Sequence, residues 1–295
     1  MDSKNPPGNL ALMQIASYYK SRGHTIGFDI KSPDKVYMSC ILSKNREKTL
    51  LKSQEYNCEV YIGGSGINYD WLPEEMQMVK PDYDLYPSEY SLGFTTRGCI
   101  RNCKFCIVRE KEGRLHRWQH IKDFHDDRFD TVILLDNNIL ADKEWFFKNS
   151  DYLIENELGL IENGMDIRLL DNEIAEQLSK IKFKKPMKFA FDNMNDEDSV
   201  LNGIEMLKRN GINIRNNVQF YVLVGYNTTM EEDKYRCRLL KKLNTNAFVM
   251  PYKKDWWTKK IARWGNRKWL YWSCDIDDYV YGRNSKNRRK LEGFF

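Results

Sequence analysis

The chain has 295 residues, of which 41% are hydrophobic and 13% aromatic, so it can build a substantial core and is not expected to be disordered. The net charge of +5 is too mild to predict a nucleic-acid partner by itself. No stretch approaches the ~18 consecutive apolar residues of a membrane span, and the first residues lack an apolar signal-peptide region. We therefore expect a cytoplasmic protein with no membrane partner. Its seven cysteines, an odd number without an export signal, argue against a disulfide framework.

Residues 1–87 predict a small α/β domain. A helix is expected over 9–22, followed by short strands over 25–30, 35–40 and 59–62. Gly63-Gly64 ends the last of these strands, and the stretch between Pro81 and Pro87 has the composition of a linker.

From residue 88 onward, apolar runs typical of strands alternate with amphipathic stretches typical of helices. The predicted strands are 91–96, 131–136, 165–170, 188–192, 218–224 and 247–252. The predicted helices include 142–156, 171–181, 196–210 and 229–243. The last of these helices has apolar or small positions at Tyr235, Leu239, Leu240 and Leu243 and a capping-box pattern at Thr228. This alternation predicts strand–helix units around a parallel sheet, and six units are too few for a full eight-unit barrel.

Three cysteines lie close together directly after the first of these strands. Cys99, Cys103 and Cys106 have the spacing C-x3-C-x2-C, with Phe105 just before the last one. Three thiolates of one loop can hold three corners of a cubic iron–sulfur cluster and leave the fourth iron open. Zinc is the alternative, with His116 or His120 as a fourth ligand, and so are three unrelated thiols.

The cysteine motif resembles the cluster loop of the radical S-adenosylmethionine (radical SAM) enzymes. The resemblance covers residues 88–272 and implies a six-unit partial (β/α) barrel with the 4Fe-4S cluster loop at the carboxyl end of the sheet. It also implies that SAM chelates the open iron and is cleaved reductively to a 5′-deoxyadenosyl radical, which abstracts hydrogen from a substrate that the sequence does not identify. An electron donor such as flavodoxin or ferredoxin would be a partner.

The resemblance places SAM contacts at the strand ends and beside the cluster. The residues concerned are Phe105, Asp136, Asn138, Arg168, Asp192, Gly225 and Met250. Each has a structural alternative: an Asx turn for Asp136 and Asn138, an ion pair with Asp166 for Arg168, a helix-orienting role for Asp192, a tight turn for Gly225 and simple core packing for Met250.

The N-terminal domain partly resembles the cobalamin-binding domains that precede many radical SAM cores. The Gly63-Gly64 turn and Ser39 fit that pattern. In the family an Asp-x-His loop ligates cobalt, whereas this chain starts with Asp2-Ser3-Lys4 and lacks the first strand. We therefore expect a truncated, incomplete doubly wound α/β domain that does not hold cobalamin through histidine.

Residues 253–272 combine five tryptophans with seven lysines or arginines. Basic residues with interleaved aromatics are typical of nucleic-acid contact. The positions of Trp257, Ile261 and Trp264 favour a helix that packs its apolar side inward, and Trp272 is a further candidate for this side. A basic tail over 273–295 follows. The alternatives to a radical enzyme of unidentified substrate are a methyl- or sulfur-transferring nucleic-acid modification enzyme and a non-catalytic, metal-stabilised nucleic-acid-binding protein.

Overall fold

The structure is a computed structural model that describes residues 8–280. The helices in this range are α1 Leu10–Lys20, α2 Arg46–Ser53, α3 Glu74–Gln77, α4 Val108–Glu112, α5 Ile121–Phe124, α6 Lys143–Glu155, α7 Asn172–Lys180, α8 Glu197–Arg209, α9 Ile214–Asn217, α10 Met230–Lys242, α11 Trp256–Gly265 and α12 Lys268–Ser273. The strands are β1 Lys35–Ser39, β2 Glu59–Gly63, β3 Ser91–Gly93, β4 Thr96–Arg97, β5 His116–Arg117, β6 Thr131–Leu134, β7 Gly159–Ile161, β8 Lys182–Phe183, β9 Met187–Ala190, β10 Val218–Val224 and β11 Asn246–Pro251.

The chain divides into two compact units, Met1–Asn163 and Gly164–Phe295. Both units mix helices with parallel strands, which confirms the predicted α/β class. The predicted division at residue 87 remains a prediction, and so does the basic tail, most of which lies outside the described residues. The predicted cobalamin loop at Asp2-Ser3-Lys4 also lies outside them.

The first unit contains two parallel sheets and one short antiparallel pair of strands. Strand β1 pairs with β2, and β6 lies between β3 and β7. Strands β4 and β5 pair antiparallel. The fully buried ring of Phe124 on α5 lies 2.7 Å from where a Cβ of Gly93 on β3 would be, so only glycine lets this helix approach the strand so closely.

The second unit is built on one parallel sheet in the order β11-β10-β9. Strand β10 is its centre, and the side chains of Val218, Phe220, Val222 and Val224 are fully buried at alternate positions. Because successive side chains of a strand point to opposite faces, this set lines one face of the sheet. Residues 218–224 were predicted as a strand with these bounds.

Two predicted strands are not formed. Residues 25–30 have no regular structure, and Phe28 and Ile30 are exposed rather than packed against a neighbouring strand. Residues 165–170 form a 3₁₀ turn at Ile167–Leu169, because the Asp166 side chain accepts a hydrogen bond from the Arg168 N–H and starts the turn. Only a single bridge, from Met165 to Phe189, joins this segment to the sheet of the second unit.

The start and the inner face of α10 also differ from the prediction. The capping box is formed by Thr229 and Glu232, one residue later than expected. Tyr235 is exposed, whereas Asp233, Arg236 and Cys237 are buried. The inner face of this helix is therefore partly charged, which a search for an apolar stripe cannot find.

The tryptophan-rich segment forms α11 and α12 rather than one helix. Ile261 and Trp264 are buried as predicted, and Trp257 and Trp272 are half-buried. The Trp264 ring N–H donates to the Cys274 carbonyl at 3.1 Å. Across residues 8–280, no helix has both the length and the apolar character needed to cross a membrane.

Candidate functional site

The segment before the cysteine loop is fixed by a glycine turn. Gly98 has a φ of +75°, and a Cβ there would lie 2.2 Å from the Arg114 carbonyl oxygen. Just before this turn, β4 pairs with β5, and the Thr95 carbonyl accepts hydrogen bonds from the Trp118 N–H and the Trp145 ring N–H, both at 2.8 Å. These contacts therefore fix the backbone conformation of the residues that lead into Cys99.

Asp136, which follows β6, binds Thr95 and Thr96 in the segment before the cysteine loop. Its fully buried carboxylate accepts four hydrogen bonds, from the N–H and the hydroxyl of both Thr95 and Thr96, at 2.6 to 2.8 Å. Burial raises the pKa of Asp136, and the hydrogen bonds from the two threonines offset part of that effect. In this structure the carboxylate positions the strand end, and its predicted contact with the SAM amino group stays a prediction.

A second buried carboxylate, Glu112, lies beside the same turn. Its Oε2 accepts from Arg97 Nε at 3.0 Å, from the Gly98 N–H at 3.1 Å and from Asn137 Nδ2 at 2.9 Å. Burial acts to raise the pKa of Glu112, but the charge of Arg97 and these hydrogen bonds outweigh it and bring the pKa below its usual value. This pattern predicts that the carboxylate is ionised at neutral pH.

Aromatic rings enclose the guanidinium group of Arg97. Its Cζ lies 4.1 Å from the ring centroid of Phe94, 4.4 Å from that of Trp71 and 5.7 Å from that of Trp118. The Trp71 ring N–H also donates to the Lys111 carbonyl at 3.1 Å. A planar, permanently charged group between ring faces gains cation–π attraction, so the rings and Glu112 fix Arg97 together.

The three cysteines lie on the loop that this framework supports, and none of them forms a disulfide bond. Cys99 and Cys103 are half-buried and Cys106 is exposed. The Cys99 Sγ accepts from the Arg101 N–H at 3.4 Å, and the Cys99 carbonyl accepts from Arg109 at 3.2 Å. Arg101 and Arg109 thus contact the first cysteine of the loop at its sulfur and at its carbonyl.

Within residues 8–280, no three His, Cys, Asp or Glu side chains are drawn together as a set that could hold a metal ion. The three thiols therefore share a loop without converging in this structure. As donors they fit an iron–sulfur cluster, because all three are accessible thiols on a single loop. His120 is buried and its Nδ1 accepts from the Lys122 N–H, so it caps α5 and is not directed at the loop. His116 lies in β5, where its Nδ1 contacts the Arg114 carbonyl at 3.0 Å.

Phe105 and Asn138 are the other two predicted SAM contacts of the first unit, and they lie close in sequence to Cys106 and Asp136. Phe105 is half-buried on the cysteine loop. Asn138 is buried, and its Oδ1 accepts from the Leu140 N–H at 3.3 Å, which is the Asx-turn arrangement that the sequence left as the alternative.

Asp192 and Gly225 follow β9 and β10 in the second unit. The Asp192 carboxylate accepts from the Leu223 N–H at 2.8 Å, and burial raises its pKa. Gly225 has a φ of +77°, and its N–H donates to the Asp233 carboxylate at 2.9 Å. A tight turn thus explains this glycine, and its predicted place beside adenine is not tested.

Arg168 and Met250 are also in the second unit. Arg168 bonds Asp166 through its Nε at 2.7 Å and Asp196 through its Nη1 at 3.2 Å, which matches the structural alternative. Met250 lies half-buried on β11. Their roles toward SAM remain predictions.

Sequence reasoning missed a buried ion pair at the same strand ends. Arg236 on α10 is fully buried and bonds the Asp233 carboxylate, the Phe191 carbonyl and, at 2.7 Å, the Leu223 carbonyl. It thereby ties the residue before Asp192 to the turn at Gly225. The one hint in the sequence is that Asp233 and Arg236 share a helix face with Cys237 and Leu240.

No protein-family model and no curated protein matches the chain. The functional assignment therefore depends on the residues of the site.

Proposed function

We propose that this protein is a radical SAM enzyme: Cys99, Cys103 and Cys106 hold a 4Fe-4S cluster, and SAM is cleaved reductively to a 5′-deoxyadenosyl radical that abstracts hydrogen from an unidentified substrate. The observation that carries the proposal is one loop of three accessible thiols that follows the parallel strand β3 and the short antiparallel strand β4. Ligand sites in parallel α/β folds lie at the carboxyl ends of the strands. When bound, the cluster supplies the electron that cleaves SAM.

The residues around the loop would act by positioning it. Asp136 holds Thr95 and Thr96, and Glu112 holds Arg97 and the Gly98 N–H, so the chain enters the loop in a fixed direction. A fixed first ligand reduces the conformational entropy that is lost when the other two cysteines bind the same cluster.

The proposal includes the finer fold and the SAM contacts. We propose that the α/β elements of 88–272 form a partial barrel of six units. We propose SAM contacts at Phe105, Asp136, Asn138, Arg168, Asp192, Gly225 and Met250. An electron donor such as flavodoxin or ferredoxin would reduce the cluster. The domain of residues 1–87 would be similar to cobalamin-binding domains without holding cobalamin through a histidine.

The metal assignment is tested by anaerobic reconstitution with iron and sulfide. We expect about four irons and four sulfides per chain and a brown, oxygen-sensitive protein. Cys103→Ala should lose most of this content, whereas Cys58→Ala, which alters a half-buried cysteine outside the loop, should retain it. Full cluster content in Cys103→Ala, or a colourless protein that binds zinc instead, would overturn the assignment.

Catalysis is tested with the reconstituted, reduced protein and SAM alone. We expect slow formation of 5′-deoxyadenosine and methionine, and chromatography measures both products. The absence of both products from a protein with an intact, reduced cluster would contradict the proposed activity while leaving the metal site in place.

A further inference from the structure

Helix α11 has two chemically different sides. Ile261 and Trp264 face inward and are buried. Lys259 and Lys260 lie three and four residues after Trp256, and Arg263 lies four and three residues after these two lysines, which places all four along one outer side of the helix. Burial of the inward side explains the apolar positions of the helix, but it does not explain why basic and aromatic residues lie along the outer side.

Positive charge dominates the outer row and the segments on either side of it. Between residues 252 and 269 there are seven basic residues and a single acidic one, Asp255. We call the side chains of Tyr252, Lys253, Lys254, Trp256, Lys259, Lys260, Arg263, Arg267, Lys268 and Trp269 the α11 surface. Such a density of one sign of charge attracts a polyanion.

Two acidic side chains that lie close by in sequence form their ion pairs with α10 instead. Asp275 and Asp277 follow α12, but they pair with Arg238 on α10, and Asp277 also pairs with Lys234. In the part of the chain that the structure describes, Lys259 and Lys260 are in no ion pair. Their ammonium groups are therefore available to an anionic partner.

Large aromatic rings lie exposed among these charges. Trp256 is 65% exposed and Trp269 63%, in contrast with the fully buried Trp264 of the same segment. Tyr252 is half-exposed and its ring meets that of Tyr226 edge-on, with centroids 4.7 Å apart. An exposed indole contributes little to folding, but its face can stack on a nucleobase, and base stacking on aromatic rings occurs next to basic groups in proteins that bind single strands.

We propose that the α11 surface binds single-stranded nucleic acid, with its lysines and arginines on the phosphates and Trp256 stacked on a base. Unpaired bases fit better than a duplex because the indole needs a free base face. The inference does not depend on the radical SAM proposal, since none of its residues takes part in the cysteine loop. RNA and DNA share the chemistry that this surface recognises, and the test separates them.

The test uses the full chain without cofactors and measures binding of oligo(rU) and oligo(dT) by fluorescence anisotropy over a series of salt concentrations. Lys259→Ala/Lys260→Ala should weaken binding and lower the magnitude of the slope of log K against log salt by about 1.4, since each phosphate contact on a single strand contributes about 0.7. Lys184→Ala/Lys185→Ala removes two exposed lysines elsewhere in the same unit and should leave the slope unchanged. The basic tail is present in all variants, so its contribution cancels. If oligo(rU) binds more tightly, the ligand is RNA, and if oligo(dT) binds more tightly, the ligand is DNA. Either preference supports the proposal.

The stacking contact is tested separately. Trp256→Ala should weaken binding roughly 5- to 100-fold with little change in the salt slope, and Trp256→Phe should recover most of the affinity. Because Trp256 is exposed, all variants should keep the melting temperature of the parent protein.

Two results would overturn the proposal. One is the absence of oligonucleotide binding at low salt, or binding that none of the α11 variants weakens. The other is tight binding to vesicles containing phosphatidylserine together with weak binding to both oligonucleotides, which would make the surface a membrane-binding one.

Discussion

Glu112 shows at the scale of a single residue how a buried charge supports the cysteine loop. Its side chain is 4% exposed, and one of its oxygens accepts from Arg97, Gly98 and Asn137 together. Loss of one member of a buried pair leaves the other charge uncompensated, which is costly because water cannot replace it. The start of the loop is thus held by the carboxylates of Glu112 and Asp136 rather than by its own cysteines.

We expect Glu112→Gln to lower the free energy of unfolding of the cofactor-free protein by about 2–4 kcal/mol at about pH 7. The control is Glu144→Gln, whose side chain is 80% exposed and pairs with Arg117, and it should cost at most about 1 kcal/mol. Urea unfolding of the three proteins measures both changes. Equal effects of the two substitutions would contradict the buried-pair argument.

The same substitution should change the dependence of stability on pH. The pKa of Glu112 is lower in the folded chain than its ordinary value. The carboxylate therefore stabilises the fold above its unfolded pKa, and this stabilisation is lost as the pH falls through the folded pKa. The difference in stability between the parent protein and Glu112→Gln should shrink in that acidic range, and a difference that stays constant down to about pH 2 would be inconsistent with ionised Glu112.

Gly98 provides a second prediction at the scale of the residue. Gly98→Ala and Gly23→Ala both introduce a side chain at positive φ, +75° and +84°, which costs about 1–2 kcal/mol. Only at Gly98 would the new Cβ also meet a backbone oxygen, whereas Gly23 faces open space. We expect Gly98→Ala to destabilise the protein clearly more than Gly23→Ala in thermal melting, and the opposite order would show that the turn before Cys99 can relax.

Helix α11 illustrates what the periodicity of an element can and cannot predict. The spacing of Ile261 and Trp264 predicted their burial correctly, because an apolar stripe at helical period must face a core. The same approach failed on α10, where Arg236 rather than Tyr235 faces inward. Strand-end carbonyls of Phe191 and Leu223 satisfy that arginine, and these acceptors come from distant parts of the chain.

At the scale of this element, Trp264→Ala should lower the free energy of unfolding by about 3–5 kcal/mol, because it leaves a cavity and removes a buried ring. Trp256→Ala removes the same type of side chain from the same helix at an exposed position, and it should cost no more than about 0.5 kcal/mol. Chemical denaturation distinguishes the two variants. Similar losses of stability would contradict the assignment of inner and outer sides.

For the whole molecule, the histidines argue against a cobalt–imidazole linkage. His120 and His125 are buried, and both ring nitrogens of His125 make contacts, with the Tyr152 hydroxyl and the Phe129 carbonyl. That leaves His24 and His116 accessible among the four histidines of the chain. The family pattern would require a histidine where Lys4 stands.

We therefore expect that anaerobic titration with hydroxocobalamin yields no tight complex with nitrogen hyperfine splitting from a protein imidazole in paramagnetic resonance. His24→Ala/His116→Ala is the control, because it removes both accessible imidazoles without touching the buried ones. A tight complex that shows this splitting in the parent protein and loses it in the double variant would refute the prediction.

Sequence patterns alone predict the α/β class, the long strand 218–224, the loop of three thiols, and the ends of α1, α6, α7, α8 and α10 to within one or two residues, because these features depend on local periodicity, capping and spacing. It misjudged 165–170, where a single side chain, Asp166, bonds the local backbone and outcompetes a weak strand preference. The contacts of Asp136 and Glu112 with the segment before Cys99, and the burial of Arg236, are visible only in the folded chain. Most of the hydrogen bonds to these charges come from groups far away in sequence, and such contacts leave no pattern along the chain.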